Sequence, residues 1–214
     1  MKKVLAFLCV AALAFGAAGN LSAITLSNWG FETGNLFGWS TSIPPGGNVA
    51  VVTSWTGDKG LGYGPPEGSY FARLKTDGPG SYTLLYQNFS VSAGDKIAGW
   101  AAFDARDYVP YNDNASVRIL SGGSVIATPW YSNVSIVGSY GDGPWTFWSW
   151  TAPVSGMFTV QYRVANAWDS VYDSYALFDA GPLTPIPEPS SLLLLGSGLL
   201  GLGGFGFLRR RKKS

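Results

Sequence analysis

Histidine is absent from all 214 residues, which removes Ser-His-Asp and Cys-His nucleophilic systems, histidine-ligated zinc and the commonest general base near neutral pH. Cysteine occurs once, at Cys9, inside an apolar run close to the N-terminus. Lysine-dependent serine chemistry needs a Ser-x-x-Lys spacing, and Lys59, Lys75 and Lys96 do not provide it. Charge is scarce at 13%, and outside the two termini no stretch keeps apolar residues at helical spacing for three turns. Few charges beside many aromatics exclude a disordered chain.

The termini read as processing segments. Lys2 and Lys3 precede an uncharged run from Val4 to Ala18 and then small residues, the three-part pattern of a secretory leader. Cleavage after Ala18 fits the small-x-small pattern through Gly16 and Ala18, cleavage after Ala23 is the alternative, and either removes Cys9. The exported protein then has no disulfide, thiol nucleophile or thiolate ligand. At the other end, Pro187, Glu188 and Pro189 precede Ser190 and an apolar run of 18 residues from Ser191 to Leu208; Arg209, Arg210, Arg211, Lys212 and Lys213 follow. Such a run is about the shortest that spans a bilayer as a helix, and a basic cluster after it stays on the cytoplasmic side. An ordinary C-terminal anchor would look similar. The Pro-Glu-Pro triplet, Leu/Gly-rich span and Arg/Lys stop together closely resemble the PEP-CTERM sorting signal. That resemblance implies recognition and removal of the tail by exosortase, a membrane-embedded transpeptidase-like protease, after a transient stay in the inner membrane. It also implies a protein that accompanies exopolysaccharide production in Gram-negative bacteria and acts at the cell surface or in the biofilm matrix.

Three segments result: a signal peptide at 1–23, an exported domain at 24–185 and a sorting tail at 186–214. The domain carries seven basic residues against twelve acidic ones, a net charge of about −5 that the whole-chain +1 conceals. Without a Lys/Arg cluster it lacks the basic patch that nucleic acid demands. Short β-branched and aromatic runs alternate with Gly, Pro, Asn and Asp, which predicts an all-β sandwich. Strands are expected at Asn48 to Trp55, Ser69 to Lys75, Ser81 to Val91, Lys96 to Phe103, Ala115 to Leu120, Val125 to Trp130, Trp145 to Thr151, Phe158 to Val164 and Ser174 to Phe178. Between two of them, Ser121-Gly122-Gly123-Ser124 places glycine where a tight hairpin needs positive φ. The stretches Ser42 to Gly47 and Gly57 to Gly68 read as longer loops.

Several short landmarks lie along this domain: Asn28-Trp29-Gly30-Phe31-Glu32-Thr33-Gly34 with Gly38-Trp39, Gln87 to Val91 before Ala93-Gly94-Asp95, Trp148-Ser149-Trp150-Thr151-Ala152-Pro153, and Tyr175 to Asp179. Together they resemble the galactose-binding-like jelly rolls to which several carbohydrate-binding modules belong. The resemblance implies a jelly-roll sandwich with Trp148 and Trp150 inside. It also implies a structural calcium tying the first segment to the last strand through Glu32 and Asp179, although the position after Asp179 is Ala180 where a second Asp is usual. Without the metal, Glu32 caps the opening turn and Asp179 ends a strand.

All nine tryptophans and eleven tyrosines fall in the exported domain. Sugar rings stack on such faces, while packing in the core competes for the same residues. Loop and strand-end positions are the glycan candidates: Trp55, Tyr63, Tyr108, Tyr111, Trp130, Tyr131 and Trp168. Glycoside hydrolysis needs a pair of carboxylates. Glu32 and Glu67 are the domain's only glutamates, and Asp104, Asp107 and Asp113 crowd one stretch that reads as a strand end and turns. The expectation is a protein that associates weakly with polysaccharide and is not an enzyme, with a purely structural or adhesive matrix protein as the alternative.

Overall fold

The computed structural model of the protein describes residues 24–183. The leader at 1–23, the triplet Pro187 to Pro189, the apolar span and the basic cluster lie outside the described residues. Among the described residues no helix is long and apolar enough to cross a membrane.

Two antiparallel five-stranded sheets face one another, as the alternating pattern predicts. The strands are β1 (Ser40–Ser42), β2 (Asn48–Val52), β3 (Trp55–Thr56), β4 (Gly62–Tyr63), β5 (Phe71–Lys75), β6 (Thr83–Val91), β7 (Lys96–Asp104), β8 (Asn114–Ser121), β9 (Ser124–Asn133), β10 (Thr146–Thr151), β11 (Gly156–Ala165) and β12 (Tyr175–Ala180). Sheet I runs β1-β6-β11-β8-β9 and sheet II runs β10-β7-β12-β5-β2. From β5 to β8 and from β9 to β12 the chain crosses between the sheets at every step, so hairpins within one sheet are few and the architecture is that of a jelly-roll sandwich. One hairpin that stays within a sheet joins β8 to β9. Its turn residues Gly122 and Gly123 have φ of 57° and 84°, which side chains resist and a two-residue hairpin requires.

Alternation places one face of each sheet inward. On β6 the buried side chains are Thr83, Leu85, Gln87, Phe89 and Val91, and on β11 Phe158, Val160, Tyr162 and Val164. Trp148 and Trp150 of β10 also point inward, Trp148 buried and Trp150 packed against the same core. Residues 24–39 form no strand, yet they deliver Trp29, Phe31 and Trp39 into the space between the sheets. Trp39 stacks on Trp29 and Tyr162 at 5.8 and 5.2 Å, and Tyr162 on Phe178 at 4.4 Å. The Trp29 indole N–H donates to the carbonyls of Ala98 and Gly181, both at 3.2 Å, which satisfies the one polar atom this ring buries.

Three features depart from the expected strands. The run from Asn48 breaks at residues 53–54, and β3 pairs instead with β4 as a separate two-stranded hairpin, so the stretch read as an open loop is a folded strap. A short strand β1 precedes it, and a single helical turn α1 (Val134–Val137) follows β9, capped by Asn133 whose side chain accepts from the Ile136 N–H. The strap exists because sheet II is apolar on its outer face too. Phe71, Ala102 and Leu177 point outward and are buried by Tyr63 with Trp55, Trp145 and Val52 as a second small core. Tyr63 is consequently 3% exposed, with its hydroxyl donating to the Gly143 carbonyl at 2.8 Å.

Candidate functional site

Three loops meet at one end of the sandwich: residues 105–113 between β7 and β8, 134–145 between β9 and β10, and 166–174 between β11 and β12. Buried aspartates fasten them. Asp107 is 1% exposed; its carbonyl accepts the Tyr140 N–H at 2.7 Å and its carboxylate accepts the Tyr108 N–H at 2.7 Å. Asp113, equally buried, accepts the Ala167 N–H at 2.9 Å and the Ser174 hydroxyl at 2.7 Å. Asn112 accepts both the backbone N–H and the hydroxyl of Ser135. Burial raises the pKa of Asp107 and pushes Asp113 up to about 6, since few donors compensate the lost hydration; the charge of Asp169 adds to both.

On this base four tyrosines form a rosette. The Tyr108 ring lies 5.2 Å from Tyr111, 5.6 Å from Tyr140 and 6.4 Å from Tyr172, and Tyr140 is 6.3 Å from Tyr172. Three of these four contacts are T-shaped and the Tyr108–Tyr140 pair is tilted, so no two of the rings stack face to face. Tyr172 is 48% exposed, and the same loop presents Trp168 at 69% and Val171 at 70%. Tyr140 has φ of 57°, a left-handed conformation unusual for a bulky residue, and the hydrogen bond to Asp107 holds it there. Such an arrangement offers apolar ring faces beside carboxylates that order their loops, which suits stacking on the C–H face of a sugar.

Sequence reasoning named Tyr108, Tyr111 and Trp168 but missed Tyr140 and Tyr172. These sit about 30 residues apart in chain order, and only the meeting of the loops brings them together. The remaining candidates divide by burial. Tyr63 and Trp130 are corrected as exposed platforms, because Tyr63 belongs to the strap and turns its ring onto the outer side of sheet II, and Trp130 lies 8% exposed against Phe178 at 5.9 Å. Trp55 is half-buried and committed to the strap. Its ring is 4.7 Å from Tyr175, the guanidinium carbons of Arg73 and Arg106 lie 4.4 and 4.8 Å from its centroid, and its N–H donates to Asp104 at 2.9 Å. Tyr131 is 47% exposed on the outer face of sheet I. Together with Trp130, Asp142 and Thr146 it lines a cavity of ≈ 440 Å³ between the edge strands β9 and β10.

Glu32 and Asp179 do approach one another. Asp179 is fully buried, accepting the N–H groups of Glu67 at 3.0 Å and Ala180 at 2.7 Å, while the Glu32 carboxylate accepts those of Ser69 and Tyr70. Burial first, then the charges of Glu32 and Glu67, raises Asp179 to about 7. Among the described residues no grouping of three or more acidic, histidine or cysteine side chains is placed to hold a metal. Asp104 serves elsewhere, accepting from Trp55, the Asp58 N–H and Arg106 at 2.9 to 3.1 Å.

No protein-family model matches the chain, and no curated protein matches it. Solved structures with a similar fold include the carbohydrate-binding module TmCBM61 in complex with β-1,4-galactotriose, at 17% identity and a TM-score of 0.45, covering 77% of this chain and 99% of that one. Another is the K3 adhesin domain of Lys-gingipain from Porphyromonas gingivalis, at 13% identity and 0.44, covering 74% of this chain and 100% of that one. A third is the CBM22-1 xylan-binding domain of Xyn10C from Paenibacillus barcinonensis, at 15% identity and 0.37, covering 79% and 100%.

Proposed function

We propose that the protein binds polysaccharide, without cleaving it, through the tyrosine rosette of Tyr108, Tyr111, Tyr140 and Tyr172. The observation that carries this reading is the convergence of four rings from three loops, with Tyr140 kept in a left-handed conformation where a glycine would fold more easily. A monomeric protein gains nothing in its core from aromatic surface left in water, so exposed rings on ordered loops favour a ligand. Stacking supplies about 1 kcal/mol per ring beyond area burial, which places affinity nearer millimolar than nanomolar. Many copies in a matrix make such affinity sufficient.

The carboxylates of this region hold loops, and that supports binding without catalysis: Asp104 and Asp113 each accept from at least two donors. Around this domain we place the leader at 1–23 and the sorting tail at 186–214, so that the protein is exported, held briefly in the inner membrane, processed by exosortase and released to the surface or matrix. Calcium at Glu32 and Asp179 is the one cofactor of this proposal. A glycan microarray probed with the full chain and its Tyr172→Ala variant tests the binding reading. Signals on one glycan group that fall in the variant support it; identical profiles would remove the rosette from the function. Release of reducing ends from any bound polymer would overturn the non-catalytic part.

A further inference from the structure

The five strands of sheet I, β1, β6, β11, β8 and β9, contain no Asp or Glu, and their only charged residues are Arg118 and Arg163. In a domain with twelve acidic residues against seven basic ones, an acid-free sheet bearing two arginines runs against the average. The two are neighbours. Arg163 of β11 pairs with Ser116 of β8, and Gln161 with Arg118, so the arginines are diagonal partners on the outward face. That relation puts their Cα atoms roughly 7–8 Å apart, within reach for long side chains.

Neither arginine has an ion pair among the described residues; the recorded ones join Lys75 to Asp173 and Arg106 to Asp104. Arg163 is 8% exposed. Its Nε donates to Ser116 Oγ at 3.0 Å, and its guanidinium carbon lies 3.9 Å over the ring of Tyr82. The Nε of Arg118 is buried without a partner. Burial and then the like charge of Arg118 lower the pKa of Arg163; the other groups acting on it are the phenols of Tyr82 and Tyr131. Two cations packed together, one almost dehydrated and facing no carboxylate, are costly unless an anion joins them.

We propose that the outward face of sheet I is a binding surface for an acidic glycan, with Arg118 and Arg163 receiving the carboxylate of a uronic acid unit. A guanidinium matches a carboxylate through two parallel N–H donors, and two adjacent guanidiniums match it better than a lysine could. The surroundings favour a sugar as the carrier of that charge. Tyr82, which carries the Arg163 guanidinium on one face, and Tyr131 are 39% and 47% exposed. Gln161, Asn88 and Thr159 supply amide and hydroxyl groups on the same face along neighbouring rows. The choice of a glycan rests on the binding function proposed above, while the anion preference rests on the arginines alone.

The test is affinity electrophoresis of the full chain in gels containing polygalacturonate or alginate, each beside the same polymer with its carboxyls reduced to alcohols. The expected result is stronger retardation by the acidic polymer, weakening with added salt. Arg118→Gln and Arg163→Gln should each reduce that preference roughly tenfold, the value of one charge-assisted contact, and leave retardation by the reduced polymer unchanged. If Arg163→Gln fails to fold, Arg118→Gln alone decides, since its side chain makes no hydrogen bond through the buried Nε. Equal retardation by both forms, or a preference intact in the arginine variants, would overturn the proposal and leave glycan binding by the rosette standing. Loss of retardation by both forms in Tyr172→Ala, with the arginine variants unaffected, would assign all binding to the rosette and also overturn it.

Discussion

Asp113 carries two jobs in one side chain: it fixes the loop bearing Tyr172 through Ala167 and Ser174, and it does so at the cost of hydration. With its pKa raised to about 6 from 3.8, the folded protein binds this proton more tightly than the unfolded chain. The resulting stabilisation is fully present below the unfolded pKa and is lost as pH rises through the folded value. Asp179, raised to about 7, acts with the same sign. Melting temperature should therefore fall as pH rises from about 4 to 7, and Asp113→Asn, which keeps the shape and lacks the titration, should flatten part of that slope. Thermal unfolding across this pH range checks it; an identical slope in the variant would contradict the shift. Trp55 gives a second prediction. Because its N–H fills one acceptor of buried Asp104 and its ring carries two guanidiniums, Trp55→Ala should destabilise by about 2 kcal/mol in urea unfolding, less than the loss of a fully buried aromatic. Full stability would return Trp55 to the list of ligand contacts.

Among elements, the loop at 64–70 joins the first segment to β12 through carboxylates: Glu32 accepts the Ser69 and Tyr70 N–H groups and Asp179 accepts that of Glu67, beside the core packing of Trp29, Phe31 and Trp39. If calcium binds Glu32 and Asp179 in the folded state alone, it stabilises by about 2.7 kcal/mol at a hundredfold excess over Kd. Chelation should then lower the melting temperature, and Asp179→Ala should abolish the response; a chelator without effect would remove calcium from this junction. The strands themselves were largely legible, because turn glycines and β-branched runs are local signals. Trp148 and Trp150 could be placed inside from the jelly-roll resemblance, since in Trp145 to Trp150 both strand faces carry aromatics and alternation does not choose between them. The strap could not, since Gly and Pro at 57–68 announce a loop and nothing nearby says what it covers. The clue lay in the partner strands: Phe71, Ala102 and Leu177 are apolar on the outward side, so the centre of sheet II is buried on both faces. Reading that signal would have taken Tyr63 out of the exposed aromatics.

For the whole molecule, the aromatic excess serves two ends, a core of stacked rings around Trp39, Tyr162 and Phe178 and a rosette in water. Composition cannot separate them, because burial is decided by loops that converge from distant parts of the chain. Tyr108 and Tyr111 were within reach of local reasoning; Tyr140 and Tyr172 were not. The processing account makes its own prediction: intact mass spectrometry of protein extracted from the cell surface should show neither the span 191–208 nor Arg209 to Lys213, and recovery of the complete C-terminus would contradict it. The central claim is that the rosette holds polysaccharide. Affinity electrophoresis of the full chain against Tyr108→Ala and Tyr172→Ala tests it most directly, across neutral polymers at matched ionic strength. The account predicts retardation of the parent protein that both variants lose while Tyr172→Ala keeps its melting temperature, since that side chain is half in water. Retardation unchanged in both variants, or absent from the parent protein in every polymer, would contradict it.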